Sequence, residues 1–214
     1  MTSKKVFQYS EAEEKANALT HFFGVLFALY VIFDLVWSAY PFGAKAVLSY
    51  GAFGLSLFLM YLSSTYYHLE KNETRKLMLK KCDHMAIFIL IAGTFTPFLM
   101  FNIATPKSIW FCAFFWLYAL GGVLFKLFGK KERRKLSLFI YLAMGWSALF
   151  MWSDLKEVLP QKSVDYILFG GLSYTVGSVF YMMKRIRYTH MVWHLFVMGG
   201  TTMHYLAIVV AFPK

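Results

Sequence analysis

The sequence predicts an all-α polytopic membrane protein of seven transmembrane helices with a cytoplasmic N-terminus. Three observations lead there. Of its 214 residues 59% are hydrophobic and 20% aromatic, while only 15% are charged; soluble domains carry nearer a quarter charged residues. Apolar runs recur along the chain at roughly 17–25 residues, the length that crosses a ~30 Å hydrocarbon core. Between these runs lie short connections rich in Lys and Arg, and they alternate in charge from one side to the other.

The runs place helices at 18–38, 45–67, 83–102, 108–127, 136–153, 164–183 and 188–211. The fifth is short but is bounded by KERRK before it and SDLKE after it. Pro41 and Gly43, Pro106, Gly129 and Pro160 punctuate the connections. Pro97 falls inside the third run, where a kink is expected. Residues 1–17 form a polar N-terminal segment and 18–211 a single transmembrane domain. That segment carries glutamates and makes a poor signal-peptide n-region, so the first apolar run is expected to stay as a signal anchor.

Counting Lys and Arg gives the orientation. One side collects Lys4, Lys5, Lys15, Lys71, Arg75, Lys76, Lys80, Lys81, Lys126, Lys130, Lys131, Arg133, Arg134, Lys135, Lys184, Arg185 and Arg187. The other holds Lys45, Lys107, Lys156, Lys162 and Lys214. This bias puts the N-terminus in the cytoplasm and the C-terminus outside the inner (plasma) membrane. It also accounts for the net charge of +11 without nucleic acid, and leaves membrane lipids as the expected partners. Trp37, Tyr40, Tyr66, Tyr67, Trp110, Trp152 and Tyr188 near helix ends suit interfacial belts. Gly121, Gly122, Gly170, Gly171, Gly199 and Gly200 suit close helix approach. Cys82 and Cys112 have no metal-pair spacing and are expected to pack.

Ionisable groups inside membrane helices are costly and therefore functional candidates. The topology sets Ser64 and His68 in the last cytoplasmic turn of the second helix, Asp83 and His84 at the mouth of the third, and His190 and His194 in the first turns of the seventh. His190 and His194, four apart, share one helix face and can approach one ion. His68 is the natural third ligand, which suits a zinc site with an open position. Asp83 supplies a carboxylate to orient or deprotonate a water, and Ser64 stands one turn before His68. The ordinary alternatives are interfacial histidines and Asp83 as an N-cap. His84 points about 100° from Asp83 and takes a supporting place. His204 lies roughly 15 Å deeper than His194 and cannot share its ion. Asp34 reads as a wet interfacial residue. Glu14, Asn17 and His21 read equally as helix-start chemistry or as a supporting shell.

The segments EEKANALTH, SSTYYH, CDHMAIFILIAGTFTPF and HMVWHLFVMGGTTMHY resemble the signature segments of the bacterial hemolysin III family. That family sits within the progestin and adipoQ receptor group, which includes the adiponectin receptors. Phe22 departs from the glycine expected after His21. The resemblance spans Glu13 to His204 and implies seven helices with zinc on His68, His190 and His194, beside Ser64 and Asp83. Similarity to ceramidase-like membrane hydrolases implies hydrolysis of a lipid amide or ester. Two other functions stay open: a zinc-binding lipid sensor or membrane-homeostasis protein, and a cytolytic pore former.

Overall fold

The computed structural model describes residues 9–129 and 133–213. Lys4, Lys5, Lys130, Lys131 and Lys214, used in the charge count, and the first eight residues of the N-terminal segment lie outside them. The described chain is helical, in the order α1 (Glu11–Ala39), α2 (Ala44–Leu69), α3 (Glu73–Pro97), α4 (Pro106–Phe128), α5 (Arg134–Trp146), α6 (Trp152–Val158), α7 (Gln161–Met182) and α8 (Thr189–Val210). A 3-10 turn, Ser147–Met151, joins α5 to α6, so the two make one rod. The rods are thus the seven that the sequence places. Six of them are long and apolar enough to cross a bilayer. The seventh, α7, has the length but is diluted by Ser, Thr, Gly and Tyr in its run SVDYILFGGLSYTVGS.

The outside of the bundle is apolar and part of its inside is polar. Phe33, Leu117 and Phe139 are each 69% exposed, whereas Asn17, His21, Ser64, His68, His194 and Thr201 are buried. A soluble fold places these classes the other way round; a surface of Leu and Phe is stable only against hydrocarbon. Trp37 and Trp110, more than 70% exposed, stand near the ends of α1 and α4 as interface anchors do. Tyr50, Phe53, Leu57 and Tyr61 line the wholly buried face of α2 at the spacing i, i+3, i+7, i+11 of one helical stripe.

Helix ends follow local chemistry. α1 opens on a capping box, in which Ser10 accepts from Glu13 N–H and the Glu13 carboxylate accepts from Ser10 N–H. α1 therefore begins seven residues before its apolar run. α3 begins ten residues before its run, capped by Asn72, because Glu73–Lys81 prolongs the helix on the polar side of the membrane boundary. Asp83 consequently lies well inside a helix and is not an N-cap. Thr105 caps α4, with Pro106 at the first position where no N–H is needed. Gly43 turns the chain between α1 and α2 at φ 84°. Pro97 ends the regular part of α3, and the next turn, Phe98–Ile103, is π-helical.

Glycine packing is selective. A Cβ on Gly122 would stand 2.4 Å from the Phe88 ring and one on Gly24 2.3 Å from the Tyr61 ring, so both are close-approach sites. Gly170 and Gly200 likewise receive rings, whereas Gly121 faces open space and Gly171 meets only loose contacts. Cys112 is buried and Cys82 half-buried, both as free thiols. Asp34 is half-buried, and its carboxylate accepts from the Tyr205 hydroxyl at 2.8 Å.

Candidate metal centre

Two helices deliver the histidines to one end of the bundle. His68 lies in the last turn of α2, and His190 and His194 occupy the first two turns of α8. One nitrogen from each ring falls within 4.8 Å of the other two. The His190 and His194 ring centroids are 4.6 Å apart, and His68 stands 5.1 Å from each. His68 and His194 are 3% and 1% exposed. Among the described residues this is the one such group of three or more His, Cys, Asp or Glu.

The partners of these rings decide which nitrogens are left. Glu14 Oε2 accepts from His68 Nδ1 at 2.6 Å, so His68 presents Nε2, which is buried and without a partner. The Asn17 carbonyl accepts from His194 Nδ1 at 3.1 Å, with the Thr20 hydroxyl at the same distance. His194 therefore also directs Nε2 away from α1. His190 Nδ1 is buried and unpartnered. Orphaned imidazole nitrogens facing one another, two of the rings backed by an oxygen acceptor, are the donor set that divalent zinc takes. The residues present fit a zinc ion.

α1 supplies this backing from one helical face, since Glu14, Asn17 and His21 follow each other at i, i+3 and i+7. Glu14 also accepts from Lys76 Nζ at 3.0 Å through its second oxygen. His21 stacks on His194 with centroids 3.5 Å apart, and both its ring nitrogens are buried without a partner. The capping is done by Ser10 and Glu13, so Glu14, Asn17 and His21 are free to serve the histidines. Glu13 also ties α1 to α8, because its Oε1 accepts from Tyr188 N–H at 2.9 Å. Tyr188 holds a left-handed backbone at φ 61°, and this tie fixes the approach to α8 two residues before His190.

Asp83 sits on α3 outside the group of three histidines. Ser64, Asp83, His84, His190 and His194 line one cavity. The cavity has about 140 Å³ open to water-sized groups and continues between α3, α5, α6, α7 and α8 along apolar walls that include Leu138, Leu142 and Trp152. His84 is buried beside it, and its carbonyl accepts from the Tyr141 hydroxyl.

A match to the haemolysin-III-related family model covers residues 9–205. The chain belongs to the haemolysin-III-related family. It is 38% identical over 197 residues to the Hemolysin-3 homolog of Bacillus subtilis, covering 92% of each chain. Hemolysin-3 of Bacillus cereus is 36% identical over 92% of this chain and 90% of its own. The human Monocyte to macrophage differentiation factor is 27% identical over 92% of this chain and 83% of its own. The haemolysin-III-related chain thus shares most of its length with relatives from bacteria and from human. No solved structure matches it.

Sequence reasoning misses three features of this haemolysin-III-related site. The Tyr9 ring stacks on His190, with centroids 5.0 Å apart, although it belongs to a polar leader. Burial pushes its phenol above the usual tyrosine range, so it stays protonated against the histidine. Lys76 looks like one more loop cation yet is buried against Glu14. Thr20, beside His21, reaches His194. A signal existed for the last: Thr20 follows Asn17 by three residues, on adjoining helical surface.

Proposed function

We propose that this chain is a zinc-dependent membrane hydrolase acting on a lipid amide or ester, of the ceramidase-like kind. The observation that carries the proposal is the union of three converging histidines with a carboxylate and an apolar cavity. Among the described residues the group brings three imidazole nitrogens together. That count matches a catalytic site, which keeps one position open; a structural site closes all four. His68, His190 and His194 would hold the ion. Once bound, zinc would polarise a scissile carbonyl and bring the pKa of water to about 7.

The chain's own groups divide the remaining work. Glu14 and the Asn17 carbonyl fix the tautomers of His68 and His194, so both rings keep a lone pair toward the ion. Asp83 accepts the proton of the attacking water and returns it to the leaving amine or alkoxide. Ser64, which lines the cavity with Asp83, orients that carboxylate or the substrate carbonyl. The walls around Leu138, Leu142 and Trp152 take the acyl chain and keep bulk water from the reacting carbonyl.

The charge bias of the connections supports an N-terminus in the cytoplasm of a plasma (inner) membrane, with the metal centre at the cytoplasmic end. The experiment for the hydrolase is Asp83→Asn in full-length protein purified in detergent and offered short- and long-chain lipid amides and esters. Zinc should be retained and turnover lost by at least about a hundredfold, the scale of general-base catalysis. Turnover that persists in this variant sinks the mechanism.

A second reading rests on a different observation: α1, α2 and α8 all meet at the histidines, so zinc would also clamp the bundle. A lipid sensor with a structural zinc would lose stability on chelation and show no turnover in any variant. The relatives' name hemolysin suggests lysis; liposome leakage that survives loss of all three histidines would favour that instead.

A further inference from the structure

The cavity has a second polar place far from the histidines. His204 lies ten residues beyond His194 on α8, about 15 Å deeper at 1.5 Å per residue. It is 3% exposed, and its Nδ1 is buried without a partner. The Tyr174 hydroxyl on α7 is likewise buried and unpartnered. The two rings stack with centroids 5.7 Å apart and 20° between planes, and both line the cavity.

The backbone makes room for this pair on both sides. A Cβ on Gly170 of α7 would stand 2.6 Å from His204 Nε2, and one on Gly200 of α8 would stand 2.5 Å from the Tyr174 ring. Each helix thus gives up a side chain to seat the polar ring of the other. Neighbouring polar groups are already engaged: Thr94 donates to the Leu90 carbonyl, and Tyr61 and Thr201 bond to each other at 2.6 Å. Two polar atoms left unmatched at membrane depth are costly without a partner from outside the chain.

We infer that His204 and Tyr174 form a subsite for an oxygen function on the lipid chain, so that the cavity selects hydroxylated or otherwise oxygenated acyl chains. The stacked pair meets such a group about 15 Å from the histidines, while the walls between them are apolar. A hydroxyl satisfies both atoms by accepting from one and donating to the other. This inference rests on the cavity holding a lipid chain, as in the hydrolase reading, but it is read by binding alone.

The test uses displacement of radiolabelled stearate from full-length protein in detergent. The competitors are stearate and 12-hydroxystearate, whose hydroxyl stands at a matching distance along the extended chain. Wild type should bind the hydroxy acid about fivefold more tightly, the scale of one net hydrogen bond. Tyr174→Phe keeps the ring on Gly200 and should abolish the preference while leaving stearate binding unchanged. His204→Phe should do the same; if it fails to fold, Tyr174→Phe carries the test. Equal affinities in wild type, or a preference that survives Tyr174→Phe, overturn the subsite and leave the hydrolase reading standing. Failure of both acids to bind at all overturns the subsite and also removes the lipid cavity from the hydrolase reading.

Discussion

Replacing Glu14 by Gln is the sharpest probe of how the histidines are held. The carboxylate accepts from His68 Nδ1 at 2.6 Å and from Lys76 Nζ at 3.0 Å. Glutamine fills the same volume but carries no charge, and its amide can present NH2 to the imidazole instead of an acceptor. His68 then loses both its fixed tautomer and the basicity the carboxylate lends to Nε2. Loss of such a partner usually costs 10–100-fold in metal affinity, or about 1.4–2.8 kcal/mol. Lys76 still donates to the Glu70 carbonyl at 3.2 Å, so the metal-free fold should change little. The assay is competition for zinc against a chelator of known affinity, with thermal unfolding of the metal-free protein as control. Unchanged zinc affinity would refute the proposed role of Glu14. A drop in affinity matched by an equal loss of metal-free stability would show that Glu14 supports the fold instead.

Two further expectations follow from packing and charge. Gly122→Ala should destabilise by about 1–3 kcal/mol in thermal unfolding, since its Cβ would stand 2.4 Å from the wholly buried Phe88 ring. Gly121→Ala, with open space around it, should be neutral or stabilising by up to about 1 kcal/mol; equal effects would contradict the packing of α4 on α3. Single cysteines placed by substitution at Glu70 and Lys162 should label from opposite sides of the membrane, Glu70 only after permeabilisation of intact cells. The reverse pattern would overturn the proposed orientation.

Much of the fold was legible because membrane helices announce themselves twice, in apolar length and in the charge of the connections. The starts of α1 and α3 were misplaced by seven and ten residues because hydropathy marks where a helix enters hydrocarbon. A capping box at Ser10 and an Asn72 cap mark where it begins. The histidine cluster was legible because topology alone sets His68, His190 and His194 at one depth. Their tautomers were not, since these depend on Glu14 and Asn17, 54 and 177 residues away in sequence from the rings they hold. The helical rise separates His204 from the other three histidines, but it says nothing about a cavity long enough to include both.

The most direct measurement is the zinc content of detergent-purified wild type beside His68→Ala, His190→Ala and His194→Ala, with helical content checked in each. A metal centre built on these rings predicts about one zinc per wild-type chain, lost in each variant while the helices persist. Well-folded wild type that takes up no zinc when the metal is supplied would contradict it.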